Sequence, residues 1–219
     1  GEFVYITGPS GAGKTTILRL ILSEMHPDSG EIILDGADIT KLAEEQIPSY
    51  RQKIGVIFQD FKILTERTVR ENVEVALAVS GVAQEDWAGR VNQVLKLVGL
   101  SERANLFPNQ LSGGEIQRTS IARALVVNPK LILADEPTGN LDWETADALM
   151  DLLEKINKEG KTVIMATHNE MIVEKYKNRV IKIKEGKLGS KEKAAHLEKE
   201  PKKEENEEKP KLKVKVEEV

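Results

Sequence analysis

With 219 residues and no cysteine, the chain is long enough to bury one sizeable core without a disulfide scaffold, and the missing thiols fit a reducing compartment. Its 32 basic and 36 acidic side chains leave a formal net charge of −4, which gives no electrostatic footprint for nucleic acid. No run reaches the roughly 18 to 20 apolar residues that a bilayer-spanning helix needs, and no segment reads as a signal peptide.

In chain order, EFVYIT (Glu2 to Thr7) reads as a strand buried on both faces. Gly8, Pro9, Ser10, Gly11, Ala12, Gly13, Lys14 and Thr15 follow, then Thr16 and an apolar helix carrying Ile17, Leu18, Leu20 and Ile21. The spacing Gly8-x-x-x-x-Gly13-Lys14-Thr15 between strand and helix is that of a phosphate loop. Its glycines let the backbone curl so that successive N–H groups point at phosphate oxygens, and the helix N-terminus adds partial positive charge. Lys14 is expected to reach the β- and γ-phosphates of a bound nucleotide, and Thr15 to offer its hydroxyl to Mg2+; the loop alone leaves many nucleotide-binding families open.

GEIILDGADI (Gly30 to Ile39) places Asp35-Gly36 between apolar residues, which predicts a hairpin in a small antiparallel layer. KIGVIF (Lys53 to Phe58) is a second buried strand, followed by Gln59. From about residue 60 to 110 no comparable strand appears. Apolar positions such as Val73, Leu77, Val91, Val94, Leu95 and Val98 fit helices inserted into an α/β core. LSGGEIQR (Leu111 to Arg118) then sets Ser112, Gly113 and Gly114 at a helix start, with Ser112-x-x-Glu115 also forming a capping box. The capping and the anion-binding readings are compatible. One chain has no evident use for two γ-phosphate sites, so a head-to-tail pair is predicted, each chain's Ser112 closing over the nucleotide of the other.

KLILAD (Lys130 to Asp135) is a buried strand ending in acid, with Glu136 next. Asp135 suits Mg2+, and Glu136 suits activation of an attacking water, although paired acids at a strand end also occur as turns or caps. TVIMAT (Thr162 to Thr167) is the last buried strand, followed by His168, whose position sets it apart from His26 and His196, read as structural or solvated. Four polar groups thus lie beyond the carboxyl ends of four parallel strands, where open α/β sheets bind ligands. From about Gly189 the composition turns to Lys, Glu and Pro, which predicts a charged disordered tail; the alternation in LKVKVEEV (Leu212 to Val219) is too short and isolated to read as a strand.

Together the phosphate loop, Gln59, LSGGE, LILADE, GNLD (Gly139 to Asp142) and His168 resemble the ATPase subunit of ABC (ATP-binding cassette) systems over about residues 1–188. Within that superfamily ADEPTGNLD (Ala134 to Asp142) resembles the group whose permeases act mechanically across the envelope, including lipoprotein-release and macrolide-efflux types. IGVIFQDFKIL (Ile54 to Leu64), RTVRENV (Arg67 to Val73) and NRVIKIKEGKL (Asn178 to Leu188) are most similar to the cell-division branch, whose partner is the integral membrane protein FtsX.

The resemblance implies a P-loop fold and a homodimer holding two Mg-ATP at the cytoplasmic face of the bacterial plasma membrane. It implies Glu136 as the base, His168 on the γ-phosphate, Gln59 among the metal ligands with Thr15 and Asp135, and Asp142 coupling the two sites. Phe61, Ile63 and Leu64 become candidates for contact with the membrane partner or for core packing. Family members also carry two strands and an adenine-stacking aromatic ahead of the phosphate loop. Here the chain starts at Gly1, so it reads as N-terminally shortened, and the missing stacking predicts ATP affinity weakened by about 1–3 kcal/mol. Trp143, where the family usually has proline, bears on dimer packing or on the start of the next helix; Ile116 stands where glutamine is common. A soluble ABC ATPase of DNA repair or translation fits less well, since neither a coiled-coil insertion nor a second cassette is visible.

Overall fold

Apolar runs flanked by glycine-rich or acidic turns become strands, and amphipathic runs become helices, in a computed structural model that describes residues 1–189. Strand β1 (Phe3–Thr7) leads through the glycine loop to helix α1 (Lys14–Ile21). The hairpin β2 (Ile33–Leu34) and β3 (Ala37–Asp38) turns at Asp35 and Gly36, with φ of 48° and 79°. Two successive positive φ values give the turn whose twist matches an antiparallel pair. Helix α2 (Ile47–Arg51) precedes β4 (Ile54–Ile57).

Helices α3 (Val69–Val79), α4 (Trp87–Leu97) and α5 (Gly113–Leu125) fill the stretch up to β5 (Leu131–Asp135). After α6 (Trp143–Lys158) come β6 (Thr162–Thr167), α7 (Glu170–Tyr176), β7 (Arg179–Lys184) and β8 (Lys187–Leu188). The helical stretch between β4 and β5 agrees with the sequence reading. The short α2 and the pair β7–β8 were not anticipated there as elements.

The main sheet runs β4-β5-β6-β1-β7-β8, parallel except for the antiparallel β7–β8 pair. Alternation along each strand sends side chains to two cores: Tyr5, Ile132 and Met165 to one, with α3, α4, α5 and α6, and Ile6, Leu133 and Ile183 to the other, with α1. Tyr5 is fully buried, as expected of a residue inside the strand. Register then sets the site. Thr7 pairs with Thr167, Asp135 with Ala166 and Ile57 with Ala134, so the segments leaving β1, β4, β5 and β6 emerge along one edge.

The N-terminal residue of α6 is Trp143, half-exposed, with the Lys175 Nζ 5.9 Å from its ring centroid. Its place is thus at the start of that helix. His26 is exposed. Beyond Gly189, the charged tail, His196 and LKVKVEEV lie outside the described residues. No helix among the described residues is long and apolar enough to cross a membrane.

Candidate functional site: a phosphate cradle at the strand ends

The loop between β1 and α1 is shaped from beneath. A Cβ on Gly8 would stand 2.2 Å from the Ile183 carbonyl oxygen, so only glycine lets the loop leave β1 against β7. The N–H of Ala12 donates to the Pro9 carbonyl at 3.1 Å, and the Ala12 carbonyl accepts from Gly186 N–H at 3.1 Å. Ala12 is therefore buried under the loop, whereas Pro9, Ser10, Gly11, Gly13, Lys14, Thr15 and Thr16 line a cleft of about 570 Å³ above it. Gly13, at φ 104°, starts α1 with no side-chain cap, so the first N–H groups of the helix keep their donors for a ligand.

Lys14 is only 8% exposed, with its Nζ donating to the carbonyls of Gly8 and Pro9 at 2.9 and 3.3 Å and lying 3.6 Å from Glu136 Oε1. The Thr15 hydroxyl donates to Asp135 Oδ1 at 3.2 Å, which sets two hard oxygen donors side by side. Burial raises the Asp135 carboxyl above its ordinary value; the Thr15 hydrogen bond opposes this, and the neighbouring Glu136 charge adds to it. A cation bound beside it relieves that desolvated charge. Among the described residues no cluster of three or more histidine or carboxylate groups forms, so the oxygens of Thr15 and Asp135, with Gln59 in the same cleft, are the candidate set.

Glu136 is held in an unusual state. It is a non-glycine residue at φ 46° and is buried. Such backbone persists where surroundings over-determine it, and it gathers at functional sites. Here the Glu136 N–H donates to Ala166 O at 2.9 Å and its carbonyl accepts from Gly139 N–H at 3.0 Å. Its carboxylate accepts from the His168 backbone N–H at 3.3 Å, and the His168 Nδ1 lies 2.8 Å from Oε1. With the carboxylate ionised, Nδ1 is the protonated ring nitrogen. The cleft thus unites most of the residues expected from the sequence: the loop, Lys14, Thr15, Gln59, Glu136 and His168, with Asp135 bonded to Thr15.

Ser112, Gly113, Gly114 and Asp142 do not line this cleft. Ser112, exposed, caps α5: its hydroxyl accepts from Glu115 N–H at 3.3 Å, while Glu115 Oε2 accepts from the Ser112 N–H at 2.9 Å. Asp142 caps α6, accepting from Thr145 N–H at 3.0 Å. Three supporting residues carried no sequence signal of their function. Asn72, fully buried, donates to the Leu64, Arg67 and Thr68 carbonyls and accepts from Leu64 N–H, fixing the backbone under half-exposed Leu64. Gln117 and Arg123 reach from α5 to two site loops.

A glycine loop opening a helix, an acid pair at the end of β5 and a histidine after β6, the strand between β5 and β1, define a P-loop ATPase, and residues 1–139 match the family described as ABC transporter. The chain belongs to that family: it is an ABC ATPase, and ATP is its nucleotide. It is 53% identical over 186 residues to the cell division ATP-binding protein FtsE of Bacillus subtilis, covering 85% of this chain and 82% of that one. It is 45% identical over 188 residues to FtsE of Escherichia coli K12, covering 86% and 85%. Among solved structures, the dimeric post-hydrolysis state of the ATP-binding cassette MJ0796 bound to ADP and Pi matches with a TM-score of 0.76 at 40% identity, covering 85% of this chain and 83% of that one.

Proposed function

We propose that this chain is the ATP-hydrolysing subunit of a cell-division ABC complex, driving an FtsX-like integral membrane partner and, through it, peptidoglycan hydrolases. The observation that carries the reading is the convergence of Lys14, Thr15, Glu136 and His168 in one cleft of a chain about half identical to relatives named for cell division. Lys14 and the N–H groups of Gly11 and of Gly13 to Thr15 hold the triphosphate. Thr15, Gln59 and Asp135 hold Mg2+, which when bound neutralises phosphate charge as it develops. Glu136 accepts the proton of the attacking water, and His168 holds the Glu136 carboxylate in place and faces the γ-phosphate. Ser112, Gly113 and Gly114 of a second copy complete each site, and Asp142 couples the two. The homodimer sits at the cytoplasmic face of the plasma membrane through its partner.

Phe61, Ile63 and Leu64 are the contact for that partner; Leu64 is 42% exposed on a backbone pinned by Asn72. The second reading, an ATPase of a lipoprotein-release or macrolide-type exporter, is favoured by ADEPTGNLD from Ala134 to Asp142. A pull-down from the membranes of the source cell, with mass-spectrometric identification, separates them. A four-span protein with an extracytoplasmic domain that retains a wall hydrolase is the expected result. A permease carrying lipoprotein or drug supports the exporter instead.

A further inference from the structure

We propose that α5 positions two arms of the ATPase site separately, through Gln117 on the Glu136 loop and Arg123 on the Gln59 loop. The assignment rests on the ATPase reading of the cleft. Six residues along an α-helix is about 9 Å of rise and about 240° of rotation, so these side chains leave α5 in different directions and meet different loops.

Gln117 is 1% exposed, and its Nε2 donates at 2.9 Å to the Pro137 carbonyl, one residue beyond Glu136. That bond fixes the peptide that continues the left-handed turn at Glu136, so the amide orients the base without touching a reactant. Gln117 Oε1, Ser120 Oγ and Thr138 Oγ1 are buried with no protein partner among the described residues. Leaving three buried polar atoms unpaired lowers stability, so these polar side chains are not there for stability alone.

Arg123 donates from Nη1 to Lys62 O at 2.6 Å and from Nη2 to Phe61 O at 2.8 Å. Phe61 and Lys62 are consecutive left-handed residues, with φ of 60° and 48°. The guanidinium is partly buried, burial lowers its pKa from the ordinary value, and no carboxylate pairs with it among the described residues. A planar fork reaching two adjacent carbonyls holds a strained corner in a way an ammonium cannot. Since Gln59 enters that corner, Arg123 sets where the Gln59 side chain stands in the cleft. The Asn140 Nδ2, donating to Gln59 O at 3.0 Å, ties the two loops to each other, so the arms are separate at α5 and joined at the site.

The test uses the full chain with Gln117→Met, which keeps length and removes the donor, and Arg123→Lys, which keeps charge and removes the fork. ATP affinity is measured by calorimetry with Mg2+ and with a chelator, beside turnover and amide hydrogen exchange. Gln117→Met is expected to lower kcat about 10- to 100-fold, the range for lost supporting hydrogen bonds, with ATP affinity unchanged in both conditions. In the same variant the amides of Thr138 and Gly139 exchange faster while those of α5 do not.

Arg123→Lys is expected to leave chelator-state ATP affinity unchanged and to weaken the gain given by Mg2+ about 10-fold. Lys62→Gly in that background restores the gain, because glycine holds the left-handed corner unaided. Identical profiles for the two variants, uniform acceleration of exchange across α5, or no rescue by Lys62→Gly would overturn the proposal. Exchange needs no nucleotide, and in Arg123→Lys the amides of Phe61 and Lys62 exchange faster while that of Gly139 does not; a parent chain that fails to bind ATP counts against the ATPase reading, while exchange still decides this one.

Discussion

Two helices of this molecule start at glycines and a hydroxyl residue, and they end up in opposite states. α1 begins at Gly13 with no side-chain cap, no acid in its first turn, and a buried lysine as its first residue. α5 begins at Ser112 with a full reciprocal cap to Glu115, which Arg103 also pairs at 2.9 Å. The α1 start lies under a cleft furnished by four strand ends of its own chain. The α5 start is exposed and its capping needs are met locally. Glycine and hydroxyl at a helix start therefore do not by themselves make a phosphate site; the surrounding residues decide whether the donors are capped or left to a ligand. On this account the α1 start holds nucleotide within its own chain, and the α5 start completes the site on a nucleotide held by another copy.

The sharpest break in that comparison is on the α1 side. Removing the base with Glu136→Gln is expected to cut turnover by about 10²- to 10⁴-fold while leaving ATP binding in calorimetry intact. Wild-type turnover in that variant would remove Glu136 from the role. Lys14→Ala strips the cleft of its cation and is expected to cost about 1.5–3 kcal/mol of ATP affinity, the usual worth of a charge-assisted hydrogen bond.

Gly8→Ala is expected to destabilise the fold by about 1–3 kcal/mol or more through overpacking against Ile183, read as a lower melting temperature before any nucleotide is added. On the α5 side, Ser112→Ala is expected to cost about 1 kcal/mol of folding stability through the lost cap. The same change also weakens ATP-dependent pairing of chains. An unchanged Tm would mean that the cap contributes nothing.

The smallest expected effect separates the two helix starts by acid. Bonding to the Ser112 N–H and to Arg103 depresses the Glu115 carboxyl from 4.5 to about 2. A depressed carboxylate stabilises the fold above its unfolded value, and this contribution is lost as pH falls through the folded value. Unfolding curves between about pH 4.5 and pH 2 should therefore steepen less in Glu115→Gln than in the parent. No such acid-sensitive cap exists at α1, whose first turn carries no acid.

Much of the first region was legible because its signals are local. Buried runs such as Leu131–Asp135 and Thr162–Thr167 read as strands from their apolar continuity, and Asp35-Gly36 read as a turn from its backbone preference. β7 was hidden, since Arg179–Lys184 mixes three charges with its apolar residues in no clean alternation and fully buries only Ile183, with Val180 and Ile181 half-buried against the two cores. The short α2 contains Pro48 and too few turns to show a period. The bonds of Gln117 and Arg123 escaped because they end on backbone carbonyls chosen by tertiary contact, 20 to 62 residues away, and no spacing rule encodes such a partner; those of Asn72 end four to eight residues back, on carbonyls of the loop that leads into its own helix. Likewise the left-handed φ of Glu136 follows from its bonds to Ala166 and Gly139, not from its side chain.

The division of labour between the two helix starts is tested most directly by sedimentation of the Glu136→Gln chain with and without Mg-ATP, at nucleotide concentrations shown by calorimetry to saturate it. The account predicts a monomer without nucleotide, a dimer with it, and loss of that dimer when Ser112→Arg is added. A chain that stays monomeric while saturated, or a dimer indifferent to Ser112→Arg, would contradict it.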